Sequence, residues 1–205
     1  MPEYWENEYA RKGRVWTGGV HNLPPVGTGV RVLELGCGNG KTGLALLEKG
    51  CDLVGIDLSS SAVSLCRSYA SRCPAGEFAL ADARGLPFVD ASFDAVVAVH
   101  VIGHLTAEGR LCCAREVSRV LRPGGTLYFS GFSGEDFRAG NGCETEPGTF
   151  ERKNGIATHY FTETEVLMLF SGLVPGECVT RRWTMTVRGR ALPRAEIAAT
   201  FTKTP

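Results

Sequence analysis

From residue 30 onward the chain alternates continuous apolar runs with amphipathic ones. VRVLELG (30–36) is an apolar run closed by glycine and predicts a buried strand, and TGLALLEKG (42–50) changes to helical spacing and stops at Gly50. DLVGIDLS (52–59) predicts a second strand. Ser59, Ser60 and Ser61 then supply an N-cap for a helix in which Val63, Cys66, Tyr69 and Ala70 share a face. A short strand, EFALADA (77–83), precedes FDAVVAVHV (93–101), apolar nearly throughout, as a strand covered on both faces must be. Thr106 caps a helix that aligns Leu111, Ala114, Val117 and Leu121 and ends at Pro123 and Gly124, and GTLYFSGF (125–132) is a fifth strand.

Strands alternating with helices of this length imply a parallel sheet with crossover helices. Beyond residue 132 the rhythm breaks. Residues 133–161 are rich in glycine with little apolar periodicity, a length of connection that carries a site or a lid. Thr162 to Glu165 form a capping box opening the helix EVLMLF. Two last runs, ECVTRRWTMTV (177–187) and EIAATFTK (196–203), joined by a turn containing Gly189 and Pro193, predict a hairpin that closes the sheet with an antiparallel strand. The expected organisation is one α/β domain: an N-terminal lid (1–29), a core (30–132), and a second-substrate segment with the closing hairpin (133–205).

Composition narrows the class. With 205 residues, 43% hydrophobic and 21% charged, the chain can bury a full core. Twenty-two basic side chains balance twenty-two acidic ones, so no field favours a polyanion and no nucleic-acid partner is expected. No leader-like or membrane-length apolar run appears, so a cytoplasmic, non-membrane protein is expected, as monomer or homodimer. Eight cysteines contain no C-x-x-C pair and read as small buried hydrophobes, with no metal site expected. A thiol-dependent reaction at Cys143 or at Cys112 and Cys113 is the minor alternative.

The stretch LELGCGNGKTG carries the candidate chemistry. Gly40, Lys41 and Thr42 would end a phosphate loop, but the first glycine of that pattern falls on Leu35, inside the strand, and the backbone cradle for phosphate is lost. The dinucleotide pattern G-x-G-x-x-G fits in its first two glycines, while Lys41 takes the place of the third. A nucleoside ligand without a diphosphate fits better, and a dinucleotide is disfavoured.

ELGCGNG, LVGIDLS, ADA, LPFVDASFDAVVAVHVIGHL and LRPGGTLYF, in this order over residues 30–132, resemble the class I S-adenosylmethionine-dependent methyltransferases of the methyltransferase type 11 kind. The resemblance implies a Rossmann-like seven-stranded, mostly parallel sheet with the last strand antiparallel and helices on both faces. It implies S-adenosylmethionine as cofactor and S-adenosylhomocysteine as product. In this frame Gly36, Gly38 and Gly40, with Cys37 and Asn39 between them, let backbone approach the methionine part. Glu34 orients that turn or the ammonium group. Asp57, nineteen residues beyond Gly38, accepts from the ribose hydroxyls with Leu58 beside it. Asp82, with Ala83, contacts the adenine amino group, and Val99 and His100 lie where the ligand loops converge.

A looser resemblance, to small methyltransferases akin to the tellurite-resistance family, covers YWENEYARKGRVW and the segment after residue 132. It implies a small-molecule acceptor lined by Trp16, Arg138, Glu144, His159 and Tyr160, with Asp136 and Glu146 as further candidates. N-terminal aromatics would exclude water from a sulfonium. His159 or His100 would serve as general base if the acceptor must lose a proton; a soft anion would need none and could be positioned by Arg138. Two other readings stay open: a nicotinamide-dependent oxidoreductase, and a protein that binds S-adenosylmethionine without catalysis.

Overall fold

A computed structural model describes residues 2–13, 15, 23–70, 76–187 and 189–205. Trp16, a candidate acceptor residue, lies outside them. The described elements begin with α1 (Pro2–Lys12), then β1 (Arg31–Leu35), α2 (Lys41–Glu48), β2 (Asp52–Asp57), α3 (Ser60–Ala70) and β3 (Gly76–Leu80). β4 (Phe93–Val99), a single 3-10 turn (Ile102–His104), α4 (Ala107–Val120) and β5 (Leu121–Phe132) follow. The remainder comprises β6 (Cys143–Glu146), β7 (Thr149–Glu151), β8 (Ala157–His159), α5 (Glu163–Leu169), β9 (Val174–Val187) and β10 (Arg190–Thr202).

Seven strands form one sheet in the order β3-β2-β1-β4-β5-β10-β9. β1 to β5 pair in parallel, while β10 runs antiparallel to both β5 and β9. The chain therefore grows outward from β1 in one direction, then crosses to β4 and grows in the other. That reversal opens a crevice at the carboxyl ends of β1 and β4, where open α/β sheets bind ligands.

Strand alternation divides the core into two layers. Leu33, Leu35, Val96 and Ala98 pack on one face with Val117 of α4 and Val166 of α5. Val32, Leu53, Ala95 and Val97 pack on the other with Leu46 of α2 and Val63 and Cys66 of α3. Each fully buried Leu, Val or Phe stabilises the fold by about 1.5–3 kcal/mol. A charge at Val97, which is 0% exposed, would have no partner in that layer and would break it.

The caps act where the sequence places them. Ser59 Oγ accepts from the Ala62 N–H at 3.1 Å, Thr106 Oγ1 from Gly109 at 3.2 Å, and Thr162 Oγ1 from Glu165 at 3.2 Å. Leu111 and Tyr69, expected on the apolar helix faces, are exposed, and β5 begins at Leu121, before Pro123 and Gly124 rather than after them. Two further expectations change. Residues 133–161 are not one irregular connection: β6, β7 and β8 form a small antiparallel sheet whose short strands offer too few side chains for a visible alternation. Pro193 is not in the hairpin turn but within β10, opposite Thr184 and before the register with β5 begins at Glu196. It lacks an N–H at a place where β10 has only one strand neighbour, and its carbonyl accepts the Phe137 N–H at 3.0 Å.

Candidate active site

The turn after β1 is built on left-handed glycines, with φ of +66° at Gly36, +53° at Gly38 and +79° at Gly40. A Cβ at Gly36 would also stand 2.5 Å from Val101 Cγ2, so backbone conformation and packing both require glycine there. Glu34 is buried beneath the turn and faces the first turn of α2, where a side chain on Gly43 would collide with its Oε2. Burial, then the nearby Cys66 and Asp57, push its carboxyl well above the ordinary range, and the Gly43 N–H works against them. Its Oε2 has no hydrogen-bond partner among the described residues, so both expected roles, orienting the turn and meeting the ammonium group, stay with it.

At the end of β2, Asp57 Oδ2 accepts the Gly38 N–H at 2.9 Å and Oδ1 accepts the Ser59 N–H at 2.9 Å. Burial raises this carboxyl, against the hydrogen bonds from Ser59, Gly38 and Leu58. Each oxygen retains a lone pair, which is the acceptor capacity that the two hydroxyls of a vicinal diol need, so the residues fit the adenosyl ribose. Cys37 and Asn39 are buried in the same turn. Cys37 Sγ lies 3.7 Å from Cys66 Sγ, and the Cys66 thiol is 3.2 Å from the Gly38 carbonyl. The contact with Cys66, together with burial, pushes the Cys37 thiol far up, so it is held as a thiol. Ala83 is buried, and Asp82 receives both Nε at 3.0 Å and Nη2 at 2.6 Å from Arg84. That guanidinium holds the Asp82 carboxyl below its ordinary value.

α1 bridges the two sides of the crevice. Glu6 accepts from Ser59 Oγ at 2.8 Å and from Ser61 Oγ at 2.6 Å, at the start of α3. Trp5 meets His104 edge-on at 4.8 Å, and Tyr4 lies against Gly155 in the β7–β8 turn, where a Cβ would strike its ring. His104 Nδ1 donates to the Ala157 carbonyl at 2.8 Å, and burial pulls this imidazole down to about 4.

Across the crevice His100 follows β4 with φ +55° and stacks on Phe132 at 4.0 Å and 14°. Its Nε2 is 3.1 Å from Glu196 Oε2 of β10. Arg138 Cζ lies 3.8 Å from the centroid of the same Phe132 ring. The Asp136 side chain, 0% exposed, receives Arg138 Nε and Arg194 Nε at 2.7 Å each. Burial opposes its ionisation, but these two guanidiniums keep its carboxyl low. Tyr160 is buried beside Phe132, its hydroxyl accepting from Arg152 Nη2 at 3.1 Å.

The structure gathers the glycine turn, Asp57, Val99 and His100 at one crevice, with Arg138 and Tyr160 along its far wall. It does not bring all candidates there. His159 is 2% exposed, with Nδ1 2.8 Å from Thr149 Oγ1 and Nε2 2.6 Å from Glu165 Oε1, so both ring nitrogens are engaged. Glu144 is exposed and accepts the Gly148 N–H at 2.9 Å, holding the β6–β7 turn. Glu146 accepts the Ala107 N–H at 3.0 Å and thus serves the start of α4. Glu6, Phe132 and Glu196 join the site without any local sequence signal, because each reaches it from an element distant in the chain.

Residues 32–125 match the methyltransferase domain family. The 27-O-demethylrifamycin SV methyltransferase of Amycolatopsis mediterranei is 31% identical over 179 residues, 84% of this chain and 65% of that protein. A tRNA N(3)-cytidine methyltransferase of Danio rerio is 31% identical over 186 residues, 83% of this chain and 52% of that one. The chain thus spans less than two thirds of the length of these curated relatives. The crystal structure of a SAM-dependent methyltransferase from Methanosarcina mazei superimposes with a TM-score of 0.74 at 25% identity, covering 91% of this chain and 99% of that one. Strand order, the glycine turn with its acid at the end of β2, and these likenesses agree: the chain belongs to the class I S-adenosylmethionine-dependent methyltransferase family.

Proposed function

We propose that this chain transfers a methyl group from S-adenosylmethionine to a small-molecule acceptor. The observation that carries the cofactor half is the Asp57 carboxylate, fixed by the Gly38 and Ser59 N–H groups at the crevice with lone pairs to spare. When bound, the sulfonium supplies a methyl group activated for in-line displacement. Gly36, Cys37, Gly38, Asn39 and Gly40 would hold its amino-acid part, Asp57 and Leu58 the ribose, and Asp82 and Ala83 the adenine, with Val99 and His100 beside the methyl. The chain's contribution to rate is alignment and exclusion of water, the second helped by α1 over the crevice.

Two features support a small acceptor. The wall formed by His100, Phe132, Arg138 and Tyr160 is aromatic and cationic, with Tyr160 packed on Phe150 of β7, and the balance of 22 acids and 22 bases offers no field for a polyanion. The Amycolatopsis relative's name also points to a small molecule, whereas the Danio rerio relative's points to tRNA. His159, adjacent to Tyr160 in the chain, would support this wall from behind, and Glu144 and Trp16 remain candidates for the acceptor. The test is transfer of labelled methyl from S-adenosylmethionine to a panel of small acceptors and, separately, to total tRNA. Label entering a small acceptor is expected; label entering tRNA alone would overturn the acceptor half and leave the cofactor half standing.

A further inference from the structure

We propose that Glu196 is a positioning residue that fixes His100 as its Nε2–H tautomer, leaving Nδ1 to take a proton from the reacting heteroatom of the methyl acceptor. The inference rests on the methyl-transfer reading above and names its substrate class: hydroxyl or amine acceptors, not soft anions.

Three observations meet in His100. First, Nε2 lies 3.1 Å from Glu196 Oε2, with the two side chains 29% and 15% exposed. An ionised carboxylate only accepts, so Nε2 carries the hydrogen. The carboxylate is ionised: burial opposes it, but the His100 imidazole holds Glu196 below its ordinary value. Second, Nδ1 is buried and has no hydrogen-bond partner among the described residues. Buried polar atoms in folded proteins are seldom left in that state, and a lone pair kept from water is one that an arriving donor can satisfy. Third, the ring is held in place. His100 is a non-glycine residue at φ +55°, its N–H donates to the Ser130 carbonyl at 2.8 Å, and its ring is stacked on Phe132. Left-handed backbone at a bulky side chain is a strain that recurs at functional sites. Turning the imidazole would break both the stack and the contact with Glu196.

The other charged groups around this pair come from separate elements. Arg138 lies over Phe132, His104 is on the 3-10 turn, and Arg181 of β9 acts on Glu196. Glu196 supplies the carboxylate that contacts the ring.

The step balances as follows. The acceptor's oxygen or nitrogen attacks the methyl carbon, the carbon–sulfur bond breaks, and its electron pair stays on sulfur. The proton of that oxygen or nitrogen passes to His100 Nδ1, and the resulting imidazolium is stabilised by Glu196 until water removes the proton. A soft anion brings no proton and would leave this arrangement without work.

Imidazole nitrogen NMR on the full chain with S-adenosylhomocysteine tests the pair without turnover, with His100→Gln identifying the signals and thermal melts showing that each variant folds. The wild type is expected to show the Nε2–H tautomer at pH 8. Glu196→Leu removes the acceptor at Nε2 and should raise the Nδ1–H share of His100, and Glu196→Asp should restore most of the wild-type pattern. An Nδ1–H tautomer in the wild type, or one tautomer distribution for wild type and Glu196→Leu, overturns the proposal. Methyl transfer is then assayed with a catechol, a primary arylamine and benzenethiolate. Transfer to either of the first two, with kcat reduced at least tenfold in Glu196→Gln and the KM for S-adenosylmethionine within twofold, supports the acceptor class. Transfer to benzenethiolate alone overturns it. No transfer to any of the three, with the tautomer as expected, overturns the acceptor class while leaving the Glu196–His100 pair in place, and the small-molecule reading is decided by the acceptor panel and total tRNA.

Discussion

The Glu6 carboxylate of α1 sits 2.6 Å from Ser61 Oγ, so the helix that covers the crevice is latched to the helix that follows Asp57. The hydrogen bonds from Ser61 and Ser59 hold the Glu6 carboxyl down to about 2, against an ordinary 4.5. Its contribution is therefore present above pH 4.5 and lost as pH falls through 2. His104, on which Trp5 rests, is depressed by burial to about 4 from 6.5, so its contribution is present above pH 6.5 and lost as pH falls through 4. Thermal midpoints should fall in two windows as pH drops from 7 to 2. Glu6→Gln should flatten the lower window and His104→Phe the upper one; equal pH dependence in all three proteins would show that neither group is the source.

Asp57→Ala should weaken S-adenosylhomocysteine binding by about 1–3 kcal/mol, through loss of charged hydrogen bonds. Asp57→Asn keeps one acceptor on the Gly38 N–H and should lose less. Calorimetric titration measures both, and an unchanged dissociation constant in Asp57→Ala would sink the ribose assignment.

Gly36→Ala should destabilise the fold by about 1–2 kcal/mol from left-handed backbone alone, with a further cost from the collision with Val101. Pairing it with Val101→Ala should recover the collision and not the backbone strain. Urea unfolding of the two variants separates these parts; full recovery in the double variant would mean that φ at this turn is not strained.

His159→Ala should lower stability by about 2 kcal/mol or more, since it leaves Thr149 and Glu165 without their buried partner. The affinity for S-adenosylhomocysteine should stay within twofold of wild type. A stable variant that has lost methyl transfer would return His159 to the list of reacting groups.

Much of this protein is legible along the chain because its signals are local. The 30–36 and 93–101 runs name the two central strands, since a strand buried on both faces has to be apolar on both. Gly36, Gly38 and Gly40 name the turn, since only glycine takes left-handed backbone without strain at each. Ser59, Thr106 and Thr162 name helix starts, since a cap bonds within three residues of itself.

What tertiary structure decided lies between residues far apart in sequence. His159 and His100 are alike as sequence in their chemistry, each a histidine named as the base for an acceptor that must lose a proton. Folding closes both nitrogens of His159 on Thr149 and Glu165 and leaves one nitrogen of His100 unpartnered among the described residues. Glu196 reaches His100 only because β10 enters the sheet beside β5, 96 positions along the chain. Sequence alone determined the strand order's raw material and the cofactor turn, because backbone conformation and burial pattern are set within a few residues. Which acid faces which imidazole, and which of two histidines keeps a free lone pair, followed from sheet order, because hydrogen bonds between side chains depend on distance in space.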